Sequence, residues 1–212
     1  MFRDRREAGQ LLAMKLSRYA DRNDAVVLGL PRGGVPVAYE IAKALNLPLD
    51  VLLVRKLGAP AQPELAMGAI AGNGVKILDY ALVRELGISE GELSAAIQRE
   101  EGELHRCESI YRKTGSPSSL ASAYVILVDD GIATGSSMLV AIQVVRARNP
   151  ARVIVAVPVA PSAARQQIEA HADEFVCLRL SEHFPAVSSF YRDFSQIGED
   201  AVRELLARSK NA

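Results

Sequence analysis

Apolar and polar positions along this chain switch between two periods, and the switches predict its elements. Residues 4–20 carry Ala8, Leu11, Leu12, Leu16 and Tyr19 at helical spacing with charged residues between them, which predicts an amphipathic helix. Ala25–Leu30 is a short apolar run of strand type, punctuated by Pro31-Arg32-Gly33-Gly34. Val35, Ala38, Ile41, Ala42 and Leu45 mark one face of a second helix, and Leu49–Val54 reads as a strand ending on the basic pair Arg55-Lys56. Such a β–loop–α–β unit implies parallel strands joined by a right-handed crossover.

Between residues 57 and 80, Gly58, Pro60, Pro63, Gly68, Gly72 and Gly74 predict turns around two short strands, Met67–Ile70 and Val75–Leu78. Ser89, with Glu92 three residues on, opens a long helix as a capping box. Its apolar stripe (Leu93, Ile97, Leu104, Tyr111) is narrow, which predicts a largely solvated helix covering one side of the body. Gly115–Ser119 ends it as a loop. Tyr124–Val128 is the strongest strand in the chain. A helix with Met138, Ala141, Ile142 and Val145 on one face follows after a turn, then a strand Val153–Val157 closed by Pro158. A helix at 162–170, a strand Phe175–Leu178 and a helix Glu199–Leu206 complete the pattern. Alternating strands and helices predict an α/β fold, a mainly parallel twisted sheet flanked by helices on both faces.

Composition narrows the class. The 212 residues are 49% hydrophobic and only 5% aromatic, without Trp, so the core is aliphatic. Basic and acidic side chains balance at 25 each. A general nucleic-acid coat or a binder of anionic membranes would show a basic excess, so neither partner is expected. The N-terminus lacks the uninterrupted apolar stretch of a secretory signal, and no apolar run is long enough to span a bilayer. Cys107 and Cys177 lie 70 residues apart without a CxxC pair, which suits reduced thiols in a cytoplasmic protein. His105, His171 and His183 have no ligand constellation around them, and no metal-ligating residue is assigned.

Chemistry concentrates in Val125–Ser137, VILVDDGIATGSS. A buried strand ends on two carboxylates and passes through a turn of Gly and small hydroxyl residues into a helix. Ligands bind at the carboxyl ends of parallel strands. Backbone N–H groups at a helix start, with the helix dipole, make a phosphate site. Thr134, Ser136 and Ser137 add hydroxyls, while Gly131 and Gly135 allow close backbone approach. Asp129 and Asp130 repel a phosphate and are suited to accept hydrogen bonds from vicinal hydroxyls. A phosphate with a diol a few ångströms away describes a ribose 5-phosphate. The chain has neither the GxxxxGK of a P-loop nor a GxGxxG.

This segment resembles the 5-phosphoribosyl 1-pyrophosphate (PRPP) motif of the type I phosphoribosyltransferases: an apolar strand, two acidic residues, small residues, then Thr-Gly. The resemblance runs from about residue 25 to 180. FRDRREAG, LPRGGVPVA, VRKLGAP and YRDFSQ further resemble a bacterial subgroup whose function is itself inferred. It implies a single domain over 1–212, with a core at about 22–180, a loop and helical insertion at 57–120 and a small C-terminal hood at 181–198. It implies transfer of the phosphoribosyl group from Mg²⁺-bound PRPP to a nitrogenous base or related nucleophile, with release of pyrophosphate, as part of nucleotide metabolism. Asp129 and Asp130 would be the catalytic pair. Gly131, Ile132, Ala133, Thr134, Gly135, Ser136 and Ser137 would hold the 5-phosphate. Arg32, Gly33, Gly34 and Lys56 would hold the pyrophosphate, and a cation from the insertion (Arg84, Arg99, Arg106, Arg112 or Lys113) would close over the sugar. Mg²⁺ would be carried largely by PRPP oxygens and water.

Family members acting on 6-oxopurines place an Asp where this chain has Ala133, a departure that argues against hypoxanthine or guanine. The expected base-binding residues are Phe190 and Tyr191, in a tail (Ser181–Gln196) that holds four of the chain's 11 Phe and Tyr residues. The alternative is that these rings anchor the tail to the core. Two rival functions share the fold: a non-catalytic PRPP-sensing regulator, and a sugar-phosphate hydrolase. A homodimer is compatible with the reading.

Overall fold

The computed structural model describes residues 1–111 and 119–209, excepting the side chains of Glu64 and Asn73. Most of the loop expected at 115–119, and the candidate cations Arg112 and Lys113, lie outside the described residues. In chain order the elements are α1 (Arg5–Lys15), β1 (Ala25–Gly29), α2 (Gly34–Leu45), β2 (Leu49–Val51), β3 (Val54–Ala59), β4 (Gln62–Ala71), β5 (Val75–Leu78), α3 (Tyr80–Glu85) and α4 (Glu90–Tyr111). Then come β6 (Tyr124–Val128), α5 (Ser136–Arg146), β7 (Arg152–Pro161), α6 (Ser162–Glu169), β8 (Glu174–Ser181) and α7 (Glu199–Ser209).

Five strands form a parallel sheet in the order β2-β1-β6-β7-β8. Its central strands are apolar at nearly every position because both faces are covered, and neighbouring residues serve opposite faces. Ile126, Val128, Ile154 and Ala156 pack with Leu12 of α1 and Leu16 just after it, Val37 and Ile41 of α2, and Val202 and Leu206 of α7. Val125, Leu127, Val153 and Val155 pack on the other side with Met138, Ile142 and Val145 of α5 and Ile168 of α6. The α/β fold read from the alternation is the fold of the chain, and β6 has the expected limits.

Elsewhere the boundaries move. The first helix stops at Lys15, and Ser17–Tyr19 continues as a single 3₁₀ turn. Leu49–Val54 is not one strand. The core strand β2 ends at Val51, and Val54 begins a separate antiparallel sheet, β3-β4-β5. Val75–Leu78 forms with the expected limits, as β5, whereas the expected Met67–Ile70 is part of a ten-residue strand, β4, in a second lobe. Pro158 does not close β7, which runs on to Pro161 beside β8, with Val157 paired to Cys177 and Val159 to Arg179. The residue between those pairs tolerates a missing N–H.

The capping box forms as expected at the start of α4. The Ser89 N–H donates to Glu92 Oε2 at 2.9 Å, and the Glu92 N–H donates to Ser89 Oγ at 3.3 Å. Ser89→Ala removes one half of it, and a thermal melt is expected to show the midpoint a few degrees lower, with the fold retained. The helix is largely solvated, as its narrow stripe predicts: Leu104 and Tyr111 of the stripe are buried, joined by Ala96, while Leu93 and Ile97 are half-buried.

Candidate functional site

Two loops meet at the carboxyl edge of the parallel sheet, where β1 and β6 lie side by side. One follows β1 and runs through Pro31, Arg32 and Gly33 into α2, with a cis Pro31–Arg32 peptide. The other follows β6 and runs from Asp129 to Gly135 into α5. They touch without space for a methyl group. A Cβ on Gly33 would sit 2.0 Å from Asp130 Oδ2, and one on Gly34 would sit 2.6 Å from the carbonyl oxygen of Val128 and 2.8 Å from Asp129 Cα.

Asp129 and Asp130 have different surroundings. Asp129 Oδ1 accepts the Asp130 N–H at 2.8 Å. Burial, and then the neighbouring Asp130 carboxylate, hold the Asp129 carboxyl well above the usual carboxylate range. Burial also raises Asp130, opposed by Arg5, whose Nε donates to Asp130 Oδ2 at 2.7 Å. Arg5 is not among the expected site residues. Its position in the first helix predicts one of the charged residues separating the apolar face, yet it is the buried charged side chain of the described residues, 8% exposed.

In the turn itself, Ala133, Thr134 and Ser137 are exposed and Ile132 is buried. The Ile132 N–H is spent on the carbonyl of Val159 at 2.9 Å, and the Gly34 N–H on that of Leu30 at 3.0 Å. These two expected phosphate donors are therefore structural. Gly135 has φ = 85°, which favours glycine, and delivers the chain into α5. Thr134 Oγ1 and Ser136 Oγ lie 3.2 Å apart, so hydroxyls and the N–H groups of the first helical turn collect at one point.

A cleft runs from these loops between the sheet edge and the second lobe. Its inner chamber, about 440 Å³, is lined by Arg32, Arg55, Arg106, Tyr111, Asp129 and Ser137, among others. An outer chamber of about 670 Å³ shares Val54, Arg55 and Ser137 with it and adds Lys56, Pro60, Ala95, Arg99 and Glu100. The structure thus brings Arg32 and Asp129 together but sets Lys56 in the outer chamber. Its neighbour Arg55 lines the inner chamber with Arg32, because the basic pair sits on alternating faces of β3 rather than after a core strand. Arg55 also donates to Glu100 Oε2 at 2.9 Å, and Arg106 to Glu199 Oε1 at 3.0 Å. Of the expected closing cations, Arg99 lines the outer chamber and Arg106 the inner one.

The C-terminal tail departs most from its expected role. Phe190 and Tyr191 are 7% and 5% exposed and line neither chamber. Phe184 stacks on Phe190 at 4.9 Å between centroids, and Tyr191 packs between Phe2 and Phe194 at 5.5 and 5.0 Å. The Tyr191 hydroxyl donates to the Asp130 carbonyl at 2.6 Å. The rings anchor the tail against the Asp129–Gly135 turn rather than offering a stacking face, and His183 and Gln196 are exposed.

Comparisons with known proteins identify the family of the chain. The phosphoribosyl transferase domain family matches residues 6–195. Two Mycobacterium tuberculosis proteins that carry the provisional name phosphoribosyl transferase are 43% identical over 209 residues, which is 99% of this chain and 47% of theirs. The chain therefore spans about half the length of the curated relatives it matches. The crystal structure of TT1426 from Thermus thermophilus is 42% identical, covers 98% of both chains and superposes with a TM-score of 0.89. The match of the family model over residues 6–195, nearly the whole chain, makes this protein a member of the phosphoribosyl transferase domain family.

Proposed function

We propose that the chain moves the phosphoribosyl group of PRPP to a nitrogen nucleophile and releases pyrophosphate. The observation that carries this reading is the inner chamber, in which Arg32, Arg55, Asp129 and Ser137 converge from three separate segments. Hydroxyls of Thr134, Ser136 and Ser137, with the N–H groups at the start of α5, hold the 5-phosphate. Asp129 and the remaining oxygen of Asp130 accept the ribose hydroxyls. Arg32, with the Gly33 backbone and Arg55, takes the diphosphate, and Lys56 reaches it from the outer chamber.

In the transfer, the bond from C1 to the diphosphate oxygen breaks and its electron pair leaves with the pyrophosphate. The nucleophile's nitrogen lone pair forms the new bond to C1, and its proton passes to the diphosphate or to water. Positive charge grows on the sugar and negative charge on the leaving group. Carboxylates beneath the ribose stabilise the first and guanidiniums around the diphosphate the second, both preorganised before the reaction. A Mg²⁺ ion fits this donor set: its ligands would be mostly diphosphate and water oxygens, with Asp129 as the adjacent carboxylate, and it would supply charge neutralisation of the leaving group.

The acceptor enters through the outer chamber, which opens onto the inner one beside Arg55. Ala133 is exposed in the turn but has no side-chain group to meet N7 of a purine, so the acceptor is not a 6-oxopurine. The test is PRPP-dependent pyrophosphate release with a panel of bases. Release is expected with an acceptor other than hypoxanthine or guanine. Efficient turnover of those two contradicts the acceptor assignment, and PRPP binding without turnover by any base contradicts the transfer.

A further inference from the structure

Two segments far apart in the chain, FRDRREAG and YRDFSQ, meet on one side chain. Phe2 and Tyr191 form a parallel bridge, with the Phe2 N–H donating to the Phe190 carbonyl at 2.8 Å and the Arg192 N–H to the Phe2 carbonyl at 2.8 Å. The Asp193 N–H donates to the Arg3 carbonyl at 2.9 Å. This clasp fixes the start of α1, and from its first residue Arg5 reaches Asp130. The guanidinium is held three ways: Nε on Asp130 Oδ2 at 2.7 Å, Nη1 on the Ser195 carbonyl at 2.9 Å, and its plane over the Phe194 ring at 3.8 Å. Asp130 is gripped from its other sides too, by the Tyr191 hydroxyl on its carbonyl and by the closely packed Gly33.

We infer that Arg5 is a positioning residue of the sugar site: it occupies Oδ2 of Asp130, offsets the charge crowding between Asp130 and Asp129, and leaves one oriented oxygen of Asp130 for a ribose hydroxyl. The inference rests on the proposed reading of the cleft and deepens it by dividing the two carboxylates. Asp129 lines the inner chamber, whereas neither Asp130 nor the Arg5 cation does, and the Asp130 side chain keeps 14% of its surface exposed. A buried, fork-shaped donor suits this task better than an ammonium, since it makes two directed bonds while stacking on a ring. The arrangement also gives the two motifs a shared role, because Phe194 and Ser195 of one hold Arg5 of the other.

The test compares ribose 5-phosphate, which carries the diol, with pyrophosphate, which does not, by calorimetric titration of the wild type, Arg5→Gln and Arg5→Lys. Losing a charge-assisted contact is worth about 10- to 100-fold. Arg5→Gln is expected to weaken ribose 5-phosphate by that factor and to leave pyrophosphate within about twofold. Arg5→Lys is expected to fall between, about 3- to 10-fold weaker for the sugar phosphate alone. Equal losses for both ligands mark Arg5 as merely structural and overturn the inference, as does wild-type affinity for both in either variant. If Arg5→Gln does not fold, Arg5→Lys decides by the same criteria. A wild type that binds neither ligand overturns the reading of the cleft itself, a separate result from selective or absent effects in the variants.

Discussion

Gly34→Ala is expected to cost about 1–3 kcal/mol of stability and to remove ligand binding in whatever protein still folds. The added methyl would stand 2.6 Å from the Val128 carbonyl oxygen and 2.8 Å from Asp129 Cα, both backbone atoms at the end of the central strand. Neither can yield by a rotamer change. The start of α2 must retreat, taking with it Arg32 and the Leu30–Gly34 hydrogen bond that shapes the loop. Chemical denaturation measures the first effect, and titration with pyrophosphate the second. A variant with wild-type stability and affinity would show that the two loops do not need their close contact.

That contact is only half legible in the sequence. The strand-acid-Thr-Gly-helix pattern is local, so its setting can be read from neighbouring residues, and β6 and α5 form where periodicity places them. Arg55 and Lys56 read as the end of a core strand because Leu52 and Leu53 continue the apolar run. The parallel pairing nevertheless stops at Val51, and the chain leaves for a second sheet. β4 is hidden because Pro63 and Gly68 interrupt it, and its register against β3 slips near Gly58. Such strands are held by neighbours rather than by propensity. Arg5 is invisible for a different reason. A charged residue on an amphipathic helix predicts solvent, and the groups that hold it, Asp130, Phe194 and Ser195, lie more than a hundred residues away. The tail's aromatic richness is plain, but composition does not reveal whether a ring faces a ligand or another ring.

Asp129→Asn is expected to weaken ribose 5-phosphate and PRPP by about 10- to 100-fold, the worth of hydrogen bonds to a charged acceptor. It is also expected to make the empty protein more stable near neutral pH. Burial and Asp130 raise the Asp129 carboxyl in the folded state above its unfolded value. The folded protein therefore binds that proton more tightly. The stability this confers is fully present below the ordinary carboxylate pKa and is lost as pH rises through the raised folded value. Asparagine removes that loss. Stabilisation together with lost affinity is what a strained functional carboxylate produces. Unchanged stability and unchanged affinity in denaturation and titration experiments would place the sugar elsewhere.

The central claim is that the cleft recognises a phosphoribosyl group and a diphosphate in one molecule. Isothermal titration of the wild-type chain with PRPP in the presence of Mg²⁺ addresses this directly. The expected result is saturable binding at one site per chain, tighter than that of ribose 5-phosphate or pyrophosphate alone, because one ligand then engages both the 129–137 turn and the Arg32 loop. PRPP binding no tighter than the better of its two halves would contradict the claim, since the loops would not be parts of one site.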